Sequence, residues 1–119
     1  MSEFDDLTLG QKQRLMPILL AKLYIFIYEQ GYEAALGDAL RDERVFGEMG
    51  VAMGYGHASS NHKLKLAQDI SLYLDGVYLR KTEDHRPIGE YWETLHPLCS
   101  WGGHFNDGNH YSLKHNGRR

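Results

Sequence analysis

A single cysteine, Cys99, stands among the 119 residues. No internal disulfide can therefore staple the fold, and the thiol reads as a small, partly buried apolar group rather than a nucleophile. Basic charge is also short, because 13 Lys and Arg against 16 Asp and Glu leave a formal charge of -3. That balance gives no positive face for nucleic acid. No uninterrupted apolar run reaches membrane-spanning length, so no membrane span is expected. The opening Met1-Ser2-Glu3-Phe4-Asp5-Asp6 is acidic where a secretory leader is basic, and synthesis in the cytoplasm without an export signal is the expectation. Repeats and low-complexity runs are missing too. What is present, 42% hydrophobic and 24% charged residues, suits one globular domain over 1–119, large enough for a core and too short for two.

Thr8-Leu9-Gly10-Gln11 reads as a capping box, opening a helix that runs to about Gln30. Leu15, Leu19, Leu23 and Phe26, flanked by Met16, Leu20 and Ile27, form its apolar stripe, which makes this helix a main wall of the core. Pro17 should kink it, and Gly31 supplies a left-handed stop. The alanine-rich stretch from Tyr32 to Leu40 is read as a strand ending at Arg41, and a short helix is expected over 43–49. Residues 66–74 alternate clearly. Leu66, Gln68, Ile70 and Leu72 share one face; Ala67, Asp69, Ser71 and Tyr73 share the other. Asp75-Gly76 predicts a tight hairpin that brings Val77-Tyr78-Leu79 back onto this strand. Residues 80–85 read as a loop, and Pro87 as a first helical position. Ile88, Tyr91, Trp92 and Leu95 form a second helical stripe that ends before Pro97. Phe105 and Tyr111 to Leu113 read as the last strand, followed by a polar tail over 114–119.

Two stretches carry the chemistry: 59–69, with His62 and Asp69, and 101–110, with Asp107 and His110. A catalytic zinc needs three nitrogen or oxygen ligands and an open position for water, and a further carboxylate can serve as general base. His62, Asp69 and His110 can be those ligands, with Asp107 as the base. Plainer readings compete. Asn106-Asp107-Gly108-Asn109 is also a good turn, in which Asp107 bonds its own backbone and His110 is an ordinary strand residue. His62 alone reads as a surface loop residue. Asp69 is harder to explain away, since a carboxylate within an apolar strand needs a compensating partner.

The order Ser60-x-His62, Ala67-x-Asp69, Trp101-Gly102-Gly103 and Asp107-x-x-His110 resembles the M15 family of zinc peptidases. It looks most like the small phage endolysins of the L-alanyl-D-glutamate or D-alanyl-D-alanine peptidase type, with similarity from about Thr8 to Leu113. The resemblance implies an α+β fold of the Hedgehog and DD-peptidase kind, a small antiparallel sheet with helices packed on one side. It implies Zn2+ held by His62, Asp69 and His110, Asp107 as catalytic carboxylate, and Arg41 as the cation at the oxyanion, with Arg44 as the alternative.

The implied substrate is the stem peptide of bacterial peptidoglycan. Cleavage between L-Ala and D-Glu is expected first, with a D-Ala-D-Ala carboxypeptidase or a non-catalytic zinc-binding wall module as alternatives. A metal-free interaction domain is a further alternative, in which the histidines are incidental. A monomer made in the cytoplasm of a phage-infected bacterium and released onto the wall by a separate membrane-permeabilising protein completes the expectation. The chain departs from the family pattern at Lys65, where glycine is usual three residues after the first ligand, and over 42–58. His57 and His104 match no ligand position and read as groove or surface residues.

Overall fold

The computed structural model describes residues 7–37 and 64–116. Helix α1 (Leu9–Glu29) begins at the expected capping box: the Gln11 amide N–H donates to Thr8 Oγ1 at 3.1 Å, and the Thr8 N–H donates to Gln11 Oε1 at 2.7 Å. These bonds satisfy backbone donors that a helix start otherwise leaves without partners. Gly31, at φ 89°, ends the helix in the left-handed region. Met16, Leu19, Leu23 and Ile27 are its buried apolar residues, while Leu15, Leu20 and Phe26 pack at the margin. The core stripe is thus narrower than the spacing predicts.

Among the described residues, five strands form an antiparallel sheet and two α-helices pack against it, an α+β arrangement. The strands are β1 (Glu33–Leu36), β2 (Ala67–Leu74), β3 (Val77–Leu79), β4 (Cys99–Trp101) and β5 (His110–Leu113). Their order is β1-β2-β5-β4, with β3 also on β2. The second helix, α2, covers Arg86–Leu95, with Pro87 in its first turn. Ile88 and Trp92 of α2 join Leu23 and Ile27 of α1, Ile70 and Leu72 of β2, and Tyr111 and Leu113 of β5 in one core. Its apolar burial is the main stabilising term.

Asp75 and Gly76 both have positive φ, 53° and 78°, so the β2–β3 hairpin closes with the twist-matched turn expected for Asp-Gly. Two expectations need correction. Residues 80–85 are not simply a loop: Thr82–His85 form a 3-10 turn with His85 buried. Phe105 lies in a second 3-10 turn, Gly102–Phe105, rather than in the last strand. The polar segment beyond Leu113 is tied to α1 at its start, where the buried Lys12 ammonium donates to the Lys114 carbonyl at 3.1 Å and meets His115 Nδ1 at 3.0 Å. The strand expected from Tyr32 covers only Glu33–Leu36 of the described residues. Its predicted end at Arg41 and the helix over 43–49 lie outside them. No helix among the described residues is long and apolar enough to cross a membrane.

Candidate functional site

Period-two alternation in β2 decides which side chains reach the site. Gln68, Ile70 and Leu72 turn toward the helices; Asp69 turns the other way and is half-buried. The antiparallel register sets Asp69 directly opposite His110 of β5. Directly opposed residues carry their side chains on the same face, and His110 Nδ1 lies 3.7 Å from Asp69 Oδ1. Asp107, three residues earlier, brings Oδ2 to 3.9 Å from the same nitrogen. Asp107 is half-exposed and His110 is buried. One imidazole and two carboxylates thus converge at the junction of β2 with the loop entering β5.

That loop, residues 102–109, is held by bonds that the motif residues themselves supply. The Asp107 N–H donates to Gly102 O at 2.9 Å, and the His110 N–H to Asp107 O at 3.0 Å. The Trp101 indole N–H donates to Gly108 O at 2.7 Å. From the neighbouring elements, the Ile70 N–H donates to Asn109 O at 2.9 Å and the Gly108 N–H to Thr82 Oγ1 at 3.3 Å. Glycine is required at two of these positions by close approach. A Cβ at Gly102 would collide with the Asp107 carbonyl and stand 2.7 Å from His110 Cβ; one at Gly108 would stand 2.6 Å from Thr82 Cα. The connection from β4 to β5 is therefore a built loop, with Asn106 left-handed at φ 60°, and not the bare hairpin turn that Asn106-Asp107-Gly108-Asn109 suggests.

Further out, Glu93 of α2 accepts from the Trp101 N–H at 3.0 Å and pairs with His104 Nε2 at 2.9 Å. His104 is half-exposed. Phe105 sets its ring against His110, centroids 5.7 Å apart. Beneath β5, His85 Nδ1 lies 2.9 Å from the Tyr111 hydroxyl, and burial pushes the imidazole down to about 4. His85 is therefore neutral near pH 7. Burial also raises the Cys99 thiol to about 12, which leaves it protonated and without the thiolate a nucleophile needs.

Three of the five predicted site residues, Asp69, Asp107 and His110, come together. His62, Arg41 and the alternative Arg44 lie outside the described residues. Among the described residues there is no group of three or more His, Cys, Asp or Glu side chains placed to hold a metal. The Asp69–His110 pair does have a suitable spacing for two ligands of one zinc, since bonds of about 2.0–2.2 Å in tetrahedral geometry put neighbouring donors roughly 3.4 Å apart.

Lys65, at the position where the M15 pattern has glycine, adopts φ 61°. The backbone there takes the left-handed form that glycine favours. Sequence reading did not reach the supporting parts of the site, Thr82 and the close packing of Gly102 and Gly108. The glycines were visible, but what they touch was not. No known protein family matches the chain, and no curated protein matches it either.

Proposed function

We propose that the protein is a zinc-dependent peptidoglycan peptidase of the small endolysin type, cutting the stem peptide of the bacterial wall, in the first instance between L-Ala and D-Glu. The observation that carries this reading is the cross-strand pair Asp69 and His110 with Asp107 beside them. Two donors fit one metal while a third, more exposed carboxylate stays on the solvent side, and a purely structural zinc site has no use for that extra group. The left-handed backbone at Lys65 adds support from a position the M15 pattern singles out.

In this reading Asp69, His110 and His62 hold zinc. When bound, the metal supplies Lewis acidity and a water of lowered pKa. Asp107, half-exposed at the mouth, accepts the proton of the attacking water and returns it to the leaving amine. Arg41 stabilises negative charge on the scissile carbonyl oxygen. The hydrogen bonds of the 102–109 loop position the Asp107 backbone, which limits the reorganisation needed at the moment of reaction. The protein acts as a monomer, is made in the cytoplasm and reaches the wall after release.

Digestion of purified peptidoglycan tests the reading through its peptide products. New N-terminal D-Glu is the expected result. Release of free D-Ala would reassign the enzyme as a carboxypeptidase, and an unchanged wall with zinc bound would make the domain a binding module.

A further inference from the structure

A cavity of about 360 Å³ opens between α1 and the start of β2, lined by Gln13, Met16, Pro17, Leu20, Lys65, Ala67 and Gln68. Its size is at the lower end of small-molecule sites, and its walls are mainly apolar, as such sites usually are. The two amides on the wall already serve the protein. Gln13 Nε2 donates to Leu64 O at 2.8 Å, and Gln68 Nε2 donates to Gly37 O at 3.1 Å and Asp69 O at 2.8 Å. Lys65 differs. It is exposed at the rim and is the cavity's only ionic lining residue, and its ammonium enters no ion pair among the described residues. Its φ of 61° is a conformation that lysine rarely adopts. A strained backbone carrying a cation to the mouth of an apolar cavity is a reason to look for a ligand.

We propose that this cavity binds a short aliphatic carboxylate, with the chain against Met16, Pro17, Leu20 and Ala67 and the carboxylate on the Lys65 ammonium. Charge complementarity selects the anion, and the apolar walls select its body. An internal peptide group is disfavoured because it brings no negative charge to the Lys65 ammonium. Lys65 is not among the residues assigned to catalysis or metal, and the test below reads ligand binding without zinc or wall hydrolysis.

NMR titration of the full chain, read on both ligand and protein methyl signals, tests the assignment with hexanoate, its neutral analogue hexanamide and the dipeptide acetyl-Ala-Ala. Hexanoate should bind saturably and about tenfold more tightly than hexanamide, a difference of about 1.4 kcal/mol. The Met16 methyl resonance should shift with it. Lys65→Gly suits the left-handed backbone and should fold; in it, and in Lys65→Gln, the two ligands should bind equally. The proposal is overturned if hexanoate does not saturate, if hexanamide equals it in the wild type, if the Met16 methyl is unmoved, if both variants keep the preference, or if the dipeptide binds more tightly than hexanoate.

Discussion

The two faces of β2 place opposite demands on neighbouring residues. Ile70 and Leu72 are fully buried against the helices, where an apolar body of the right size suffices. Asp69, between Gln68 and Ile70, faces the other way, where it matters which atom meets His110 and at what distance. The core face tolerates repacking; the site face depends on register. A one-residue slip of β2 against β5 would bury Asp69 and separate it from His110 at once.

The largest expected effect falls on the site face alone. Asp107→Asn is nearly isosteric and keeps the backbone bonds at 102 and 110, so fold and zinc should persist. Wall hydrolysis should drop at least a hundredfold, since a general base contributes a factor of about 10² to 10⁴. Turnover near wild type would make Asp107 a turn residue only.

Gly102→Ala should damage the site through its loop, because the new methyl meets the Asp107 carbonyl and His110 Cβ. A stability loss of about 1–3 kcal/mol is expected, with hydrolysis falling further than melting alone explains. Ile70→Ala sharpens the contrast from the other face. It should cost about 2–5 kcal/mol in denaturant unfolding, yet leave turnover of the folded fraction close to wild type. Equal loss of turnover in both variants would erase the distinction between the faces.

A smaller, pH-dependent effect belongs to His85. Its folded pKa of about 4 lies below the ordinary 6.5, so between these values the unfolded chain binds a proton that the folded chain does not. Stability should therefore fall as pH drops from about 6.5 to 4 and level off below, by about 1–3 kcal/mol in total. Urea unfolding at pH 7, 5.5 and 4 measures this, and His85→Asn should flatten the difference.

Much of this contrast was legible in the sequence where a local rule governs. The Thr8–Gln11 box, the Asp75-Gly76 turn, the α2 stripe and the alternation of β2 each follow from short-range geometry. Three-residue β4 carried no period to read, because Cys99, Ser100 and Trp101 are all buried. Phe105 looked like a strand residue until the Gly102 and Gly103 turn placed it beside His110. His85 sat in a polar run whose composition hid a buried contact with Tyr111. Within the site, the motif named Asp69, Asp107 and His110, whereas their convergence needed the long-range pairing of β2 with β5.

Zinc content of purified protein tests the central claim most directly, because it asks whether Asp69 and His110 act as a pair and Asp107 apart from them. One zinc per chain is predicted in the wild type and in Asp107→Asn, with loss of it in Asp69→Ala and in His110→Ala while circular dichroism reports a retained fold. A wild type that binds no zinc, a full complement in either alanine variant, or loss of metal from Asp107→Asn would contradict the account.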